Sequence, residues 1–279
     1  MERPERAPLG IVTFLVWPFG GAALLLAGTT LAGRQGFTVP EPVFGSVFYA
    51  GLAGWTLFRA RRPPFNVDVA ALSAPPSRRS DWRFLAIVAP LLVTTGAALY
   101  LVMLVASFVA PGMVAAMLAT PDPPSETMTL RSLPGDLVES AVGAIAEEWL
   151  FRGVLLHVWA QRFGVRFAIL ASSVLFAAMH SDVIGSVIFG IAMAALHIRT
   201  GSLLVPIVAH FLFNALVAAG SVVIGPDTAM TLAEFRKDWW QATTAFAGAV
   251  AVIVVVVRRA IPGEWVLPEV PGGSGEGRG

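Results

Sequence analysis

Long apolar runs alternate with short polar segments along almost the whole chain. A run of about 20 residues is what a helix needs to cross a hydrocarbon core of roughly 30 Å. On that measure the pattern predicts spans at about 9–32, 43–58, 84–108, 137–159, 167–181, 183–198, 203–224 and 239–257. A short segment at 33–42 links the first two. An arginine-rich segment at 59–83, broken by Pro63-Pro64 and Pro75-Pro76, is the most polar connection. A proline-rich one covers 111–134, a basic turn runs from Gln161 to Arg166, and 225–238 is mixed in charge. The fifth run is the shortest, so the fifth and sixth could form a broken pair. The first run exceeds the roughly 7–15 apolar residues of a cleaved signal and is expected to remain as a helix.

Composition agrees with the pattern. The 279 residues are 56% hydrophobic and 13% charged, against about 25% charged in soluble domains. The expected fold is therefore all-α: a polytopic membrane helical bundle of about eight transmembrane helices. Residues 1–260 form one transmembrane domain and 261–279 a disordered tail. A net charge of +1 argues against nucleic acid, and the bilayer itself is the expected partner. With no cysteine, disulfides, thiolate metal sites and a cysteine nucleophile are excluded. Eight crossings put both ends on one side. Placed in the cytoplasm, they leave 14 basic residues inside, 4 outside and Arg152 within a span. That asymmetry fits the positive-inside rule and a multi-pass protein of a bacterial plasma membrane.

The fourth span breaks its own pattern. Glu147-Glu148-Trp149-Leu150-Phe151-Arg152-Gly153 sets three charges inside an apolar run. Charges at that depth survive only with partners, facing a bundle interior or a cavity. Glu148 and Arg152, four apart, share a helix face and read as a neutralising pair. Glu147 lies about 100° round the helix, beside the small Gly143 and Ala144. A carboxylate facing a cavity is a candidate general base. Other spans contribute His180, His210 and Asn214, the last two on one face. A histidine and an amide aimed into one cavity can hold an oxyanion. Two histidines with a glutamate could instead hold zinc or another divalent metal, leaving a place for water. At 1.5 Å per residue, Glu147 lies about 15–19 Å, His180 about 20 Å and His210 about 10 Å from the cytoplasmic ends of their spans. One shared pocket is compatible with those depths. His157 and His197, close to helix ends, are expected at the interface. Ser186, Gly190 and Ala194, four apart, suit close helix packing.

These residues resemble a known family. Glu147-Glu148-xxx-Arg152 followed by Gly153, then Phe176-xxx-His180, then Arg199-Thr200-Gly201-Ser202 leading into His210-xxx-Asn214, occur in the order of the motifs of the type II CAAX prenyl protease and bacteriocin-processing (CPBP, or Abi) intramembrane proteases. The resemblance covers about 135–220. It implies hydrolysis of a peptide bond in a substrate with a segment near the membrane, at a site within the bilayer open to the cytoplasm. By position, Glu147 with His180 would activate water, His210 and Asn214 would stabilise the oxyanion, and Glu148 and Arg152 would hold the site's geometry. The mechanism is either that of a metalloprotease, with Glu147, His180 and His210 as ligands, or metal-free.

Other protease chemistries find no residues. There is no His-Glu-x-x-His, no Gly-x-Ser-x-Gly, and Leu133-Pro134-Gly135-Asp136 lacks the first glycine of an intramembrane aspartyl motif. Two rivals stand beside the protease: a transporter or channel using the buried Glu, Arg and His residues, and a non-catalytic immunity or adaptor member of the same fold. A transporter predicts internal repeats. The sequence shows none.

Overall fold

The computed structural model describes residues 16, 20, 30, 41–119, 131–224, 229–260 and 265–268. The expected first span falls outside the described residues except at those three isolated positions. Among the described residues every regular element is helical and there is no strand. In chain order these are α1 (Glu41–Ala60), α2 (Val69–Leu72), a 3₁₀ segment (Arg79–Ile87) continuing into α3 (Val88–Val109), and α4 (Pro111–Ala119). Next come α5 (Leu133–Glu148), a π segment (Trp149–Leu155), α6 (Leu156–Phe163), α7 (Val165–Ala177) and α8 (Val183–Thr200). Last are α9 (Leu204–Ile224), α10 (Leu232–Lys237) and α11 (Trp239–Ala260).

Four stretches are long and apolar enough to cross a membrane: Arg79–Val109, Val183–Thr200, Leu204–Val223 and Trp239–Arg259. Helices also stand at the second, fourth and fifth expected spans. They fall short of that measure, and α7 is a shorter apolar helix. Position within the bundle differs sharply. Buried residues make up 61% of the α8 window and 11% of the α11 window. Thus α8 is central and α11 lies at the edge of the described bundle. Lipid tails are as apolar as leucine, so such helices are held by close packing rather than by hydrophobic exclusion. Gly190 illustrates this, because a Cβ there would lie 2.8 Å from Ser173 Cβ on α7. The turn after α8 uses Gly201 at φ +67°, with its N–H bonded to His197 O at 2.9 Å. That left-handed closure favours glycine.

The arginine-rich connection is not a free loop. Phe65, Val67, Val69 and Leu72 are buried, while Arg61, Arg62, Arg78, Arg79 and Arg83 stay exposed. The segment is stitched to the start of α9 by Leu203 N–H to Leu72 O at 2.7 Å, and by Ser202 Oγ to Ala74 O. Trp149 Nε1 donates to Ser73 Oγ at 2.8 Å. The mixed-charge connection likewise contains α10, begun by a reciprocal Thr231–Glu234 capping box. In the expected disordered tail, Trp265 and Leu267 pack against Leu156, Ala168, Ile169 and Ala194.

Asp68 caps α2 through Ala71 N–H at 3.0 Å and pairs with Arg61 at 2.9 Å. Burial works to raise its carboxyl, but the Ala71 and Arg61 bonds outweigh it and hold the group below its usual value. A depressed carboxyl contributes stability that is complete above the unfolded value near 4 and is lost as pH falls through the lowered one. Asp68→Asn is therefore expected to cost no more than about 1 kcal/mol at pH 7, because both side chains are partly solvated. The loss should shrink as thermal unfolding is measured at pH values falling below the ordinary carboxylate range, and a pH-independent loss would contradict the assignment.

Candidate active site

The fourth expected span is one continuous rod formed by α5, the π segment and α6. Pro134 lies in its first turn, where a missing N–H is tolerated. The π segment begins directly after Glu148, and Leu156 N–H bonds to Phe151 O. Such widened turns recur at functional sites. Glu147 and Glu148 thus sit on the last regular turn before the helix widens, and both are buried.

The ion pair read from the four-residue spacing is present. Arg152 Nη1 donates to Glu148 Oε1 at 3.0 Å, with both side chains almost fully enclosed. Arg152 Nη2 donates to Gly190 O at 3.2 Å, and the guanidinium lies 4.7 Å from the Phe176 ring centre. Glu148 does more than neutralise Arg152. The same Oε1 accepts from His210 Nδ1 at 2.9 Å. That contact fixes the imidazole's orientation and turns its Nε2 toward Glu147 Oε2, 3.6 Å away.

Glu147, His180, His210 and Asn214 all line a single cavity of about 350 Å³. His180 Nδ1 is bonded to Phe176 O at 2.8 Å, leaving Nε2 as the ring's free nitrogen. The ring lies 4.2 Å from that of Phe176. Asp136, Glu139 and Ser140 on α5 and Tyr49 on α1 complete the polar lining. All charged lining groups of fixed sign are acidic.

Tyr49 did not stand out in the sequence. Its side chain lines the same cavity and interacts with the Glu147 carboxylate. Its ring occupies the space over Gly143, where a Cβ would approach it to 3.3 Å. The available signal was weak: Tyr49 is one of only two tyrosines, in an otherwise apolar span. His157 and His197 are not interfacial as expected. Their exposures are 2% and 0%, and their rings lie 5.2 Å apart. His157 Nδ1 is bonded to Arg152 O at 3.0 Å. They brace the π segment from the side away from the cavity, because the tail and the α8–α9 turn cover what the sequence presents as helix ends.

A metal centre finds no ligand set here. Among the described residues no three His, Asp or Glu side chains converge on a point that an ion could take. Glu147, His180 and His210 share the cavity without forming one.

Comparison with known proteins places this constellation in a class. Residues 131–216 match a family model described as type II CAAX prenyl endopeptidase Rce1-like. That segment contains all three motifs. A relative is YdiL of Bacillus subtilis (strain 168), named, provisionally, as a membrane peptidase. It is 36% identical over 84 residues, which cover 29% of this chain and 34% of that protein. The chain thus spans about a third of the length of this curated relative. No solved structure matches.

Proposed function

We propose that this chain is an intramembrane endopeptidase that cleaves a peptide bond with water activated by Glu147, within a bundle of about eight spans. The observation that carries the reading is the buried pairing of Glu147 Oε2 with His210 Nε2, 3.6 Å apart on the floor of a cavity. Glu147, positioned with His180, takes a proton from water, and the water oxygen adds to the scissile carbonyl carbon. The carbonyl oxygen becomes an oxyanion. The Asn214 amide, with the His210 ring when both its nitrogens carry protons, supplies donors at that point. The intermediate collapses with breakage of the C–N bond, and the leaving amine takes the proton back from Glu147. Glu148 and Arg152 act one step away by holding His210 in place. The likeness of residues 131–216 to an endopeptidase family supports this reading, and the substrate is a peptide or protein with a segment near the membrane.

The test is cleavage of a quenched fluorescent peptide by the full chain in proteoliposomes, with the products identified by mass. Proteoliposomes that conduct protons or ions and cleave no peptide would favour the transporter instead. Tyr49→Phe refines the assignment. It keeps the ring over Gly143 and removes only the hydroxyl that faces Glu147. The expected result is a lower kcat with KM unchanged. An unchanged kcat would remove Tyr49 from the machinery.

A further inference from the structure

We propose that Arg83 and Arg199 hold the phosphate of an anionic phospholipid headgroup at the membrane surface. The proposal does not rest on the endopeptidase reading. It concerns Arg199-Thr200-Gly201-Ser202, a stretch that the chemistry at Glu147 leaves unused.

The turn between α8 and α9 is fixed from several directions. Thr200 Oγ1 donates to Leu196 O at 2.8 Å, and Leu204 N–H bonds to Ser202 Oγ at 3.1 Å. Ser202 Oγ in turn donates to Ala74 O, and Leu203 N–H to Leu72 O. The turn is thus fastened to the arginine-rich segment, and Arg199 has a set place beside it in the last turn of α8. Its guanidinium lies 5.5 Å from the Phe84 ring centre, and that of Arg83 lies 5.2 Å from the same centre. The two positive groups are therefore held within about 11 Å of each other around one buried ring. Contact with an aromatic ring supports a cation but leaves its charge in place. Among the described residues the arginines that pair with carboxylates are Arg61 and Arg152, and neither Arg83 nor Arg199 does so. Arg199 Nε is enclosed without a hydrogen-bond partner. Asp81, the acidic residue of the 3₁₀ segment, is buried and pairs with neither. Two uncompensated guanidinium groups so close repel each other, and an anion shared between them removes that cost. A phosphate matches the guanidinium fork, which binds it through two parallel N–H bonds.

Placement in the bundle makes the phosphate a lipid's. Arg79–Val109 and Leu204–Val223 begin at this cluster, and Val183–Thr200 ends there. All three stretches are long and apolar enough to cross a membrane, so the arginines stand at the level of the headgroups. Basic clusters at the ends of membrane helices attract anionic lipids. Arg83 also heads an exposed face. Arg83, Ala86, Ala89, Val93, Gly96 and Leu99 are all exposed and recur at steps of three or four residues, which puts them on one side of the helix. A cationic head with an apolar track beneath it complements a phospholipid, phosphate against the arginines and acyl chain along the track. Arg78 and Arg79, both exposed, widen the positive field. A zwitterionic lipid brings its own ammonium group to the same place and gains little from that field.

The test uses the full chain purified in detergent, with bound lipid titrated by native mass spectrometry. The probes are dioleoyl phosphatidylglycerol, dioleoyl phosphatidylcholine and inorganic phosphate. Phosphatidylglycerol is expected to bind at least about tenfold more tightly than phosphatidylcholine. Arg83→Gln combined with Arg199→Gln should weaken phosphatidylglycerol at least about tenfold, whereas Arg258→Gln combined with Arg259→Gln, an equal loss of charge at the end of α11, should change it less than about twofold. Equal affinity for the two lipids overturns the proposal. Equal weakening by the two double variants also overturns it, because attraction would then belong to the whole basic surface. Displacement of the lipid by millimolar inorganic phosphate makes the ligand a free anion and overturns the lipid assignment. Should the Arg83 and Arg199 double variant fail to fold, Arg83→Gln alone decides, since that side chain is exposed. It is expected to weaken phosphatidylglycerol at least about threefold, and an unchanged affinity overturns the proposal.

Discussion

Glu147→Gln is expected to abolish peptide cleavage, by at least about 10²-fold in kcat, the lower range for removing a general base. The substitution is nearly isosteric. The packing of Gly143 against the Tyr49 ring is unaffected. What disappears is the group that can hold the water's proton. The 3.6 Å approach to His210 becomes an amide beside an imidazole. Thermal unfolding of the purified variant should change little, because the bond between Arg152 and Glu148 is left in place. Cleavage measured on the same preparation separates the cases. Retained turnover would defeat the chemistry proposed for Glu147, whereas lost turnover with a lowered Tm would mean only that the bundle had been damaged.

The second large effect concerns stability. Glu148→Ala leaves Arg152 buried, with Gly190 O and the Phe151 and Phe176 rings as its surroundings. Removing one partner of a buried pair leaves an uncompensated charge and costs roughly 3–5 kcal/mol. The variant should unfold at markedly lower denaturant or temperature. Replacing both partners by apolar residues of similar volume is often neutral, so Glu148→Leu combined with Arg152→Met is expected to recover most of that stability. Activity should not return with it. His210 Nδ1 loses its acceptor, and the ring is no longer held toward Glu147. A stable double variant with full activity would reduce Glu148 to a counter-ion.

The local pattern was legible wherever a relation spans one or two helical turns. Glu148 with Arg152 follows from a four-residue spacing, and the convergence of Glu147, His180, His210 and Asn214 on one pocket agrees with the depth arithmetic. The small residues on α8 were read for close packing, and Gly190 sits hard against Ser173. The failures are all non-local. His157 and His197 looked interfacial because distance along a helix was taken for distance from water. The segment at 59–83 looked like an open loop because its arginines dominate the composition, although its apolar positions point inward. The bond from Glu148 to His210 joins residues 62 apart in sequence, and no periodicity reports such a contact.

By itself the sequence determined that this is an all-helical membrane protein, that charges within its fourth apolar run need partners, and which residue types are available for chemistry. Those facts follow from hydropathy and from the 3.6-residue turn, which act along the chain. Only the tertiary structure decided that one carboxylate oxygen serves both Arg152 and His210. It also decided that Tyr49 lines the pocket beside Glu147. Each depends on which helices lie side by side, and close packing of side chains across helices sets that.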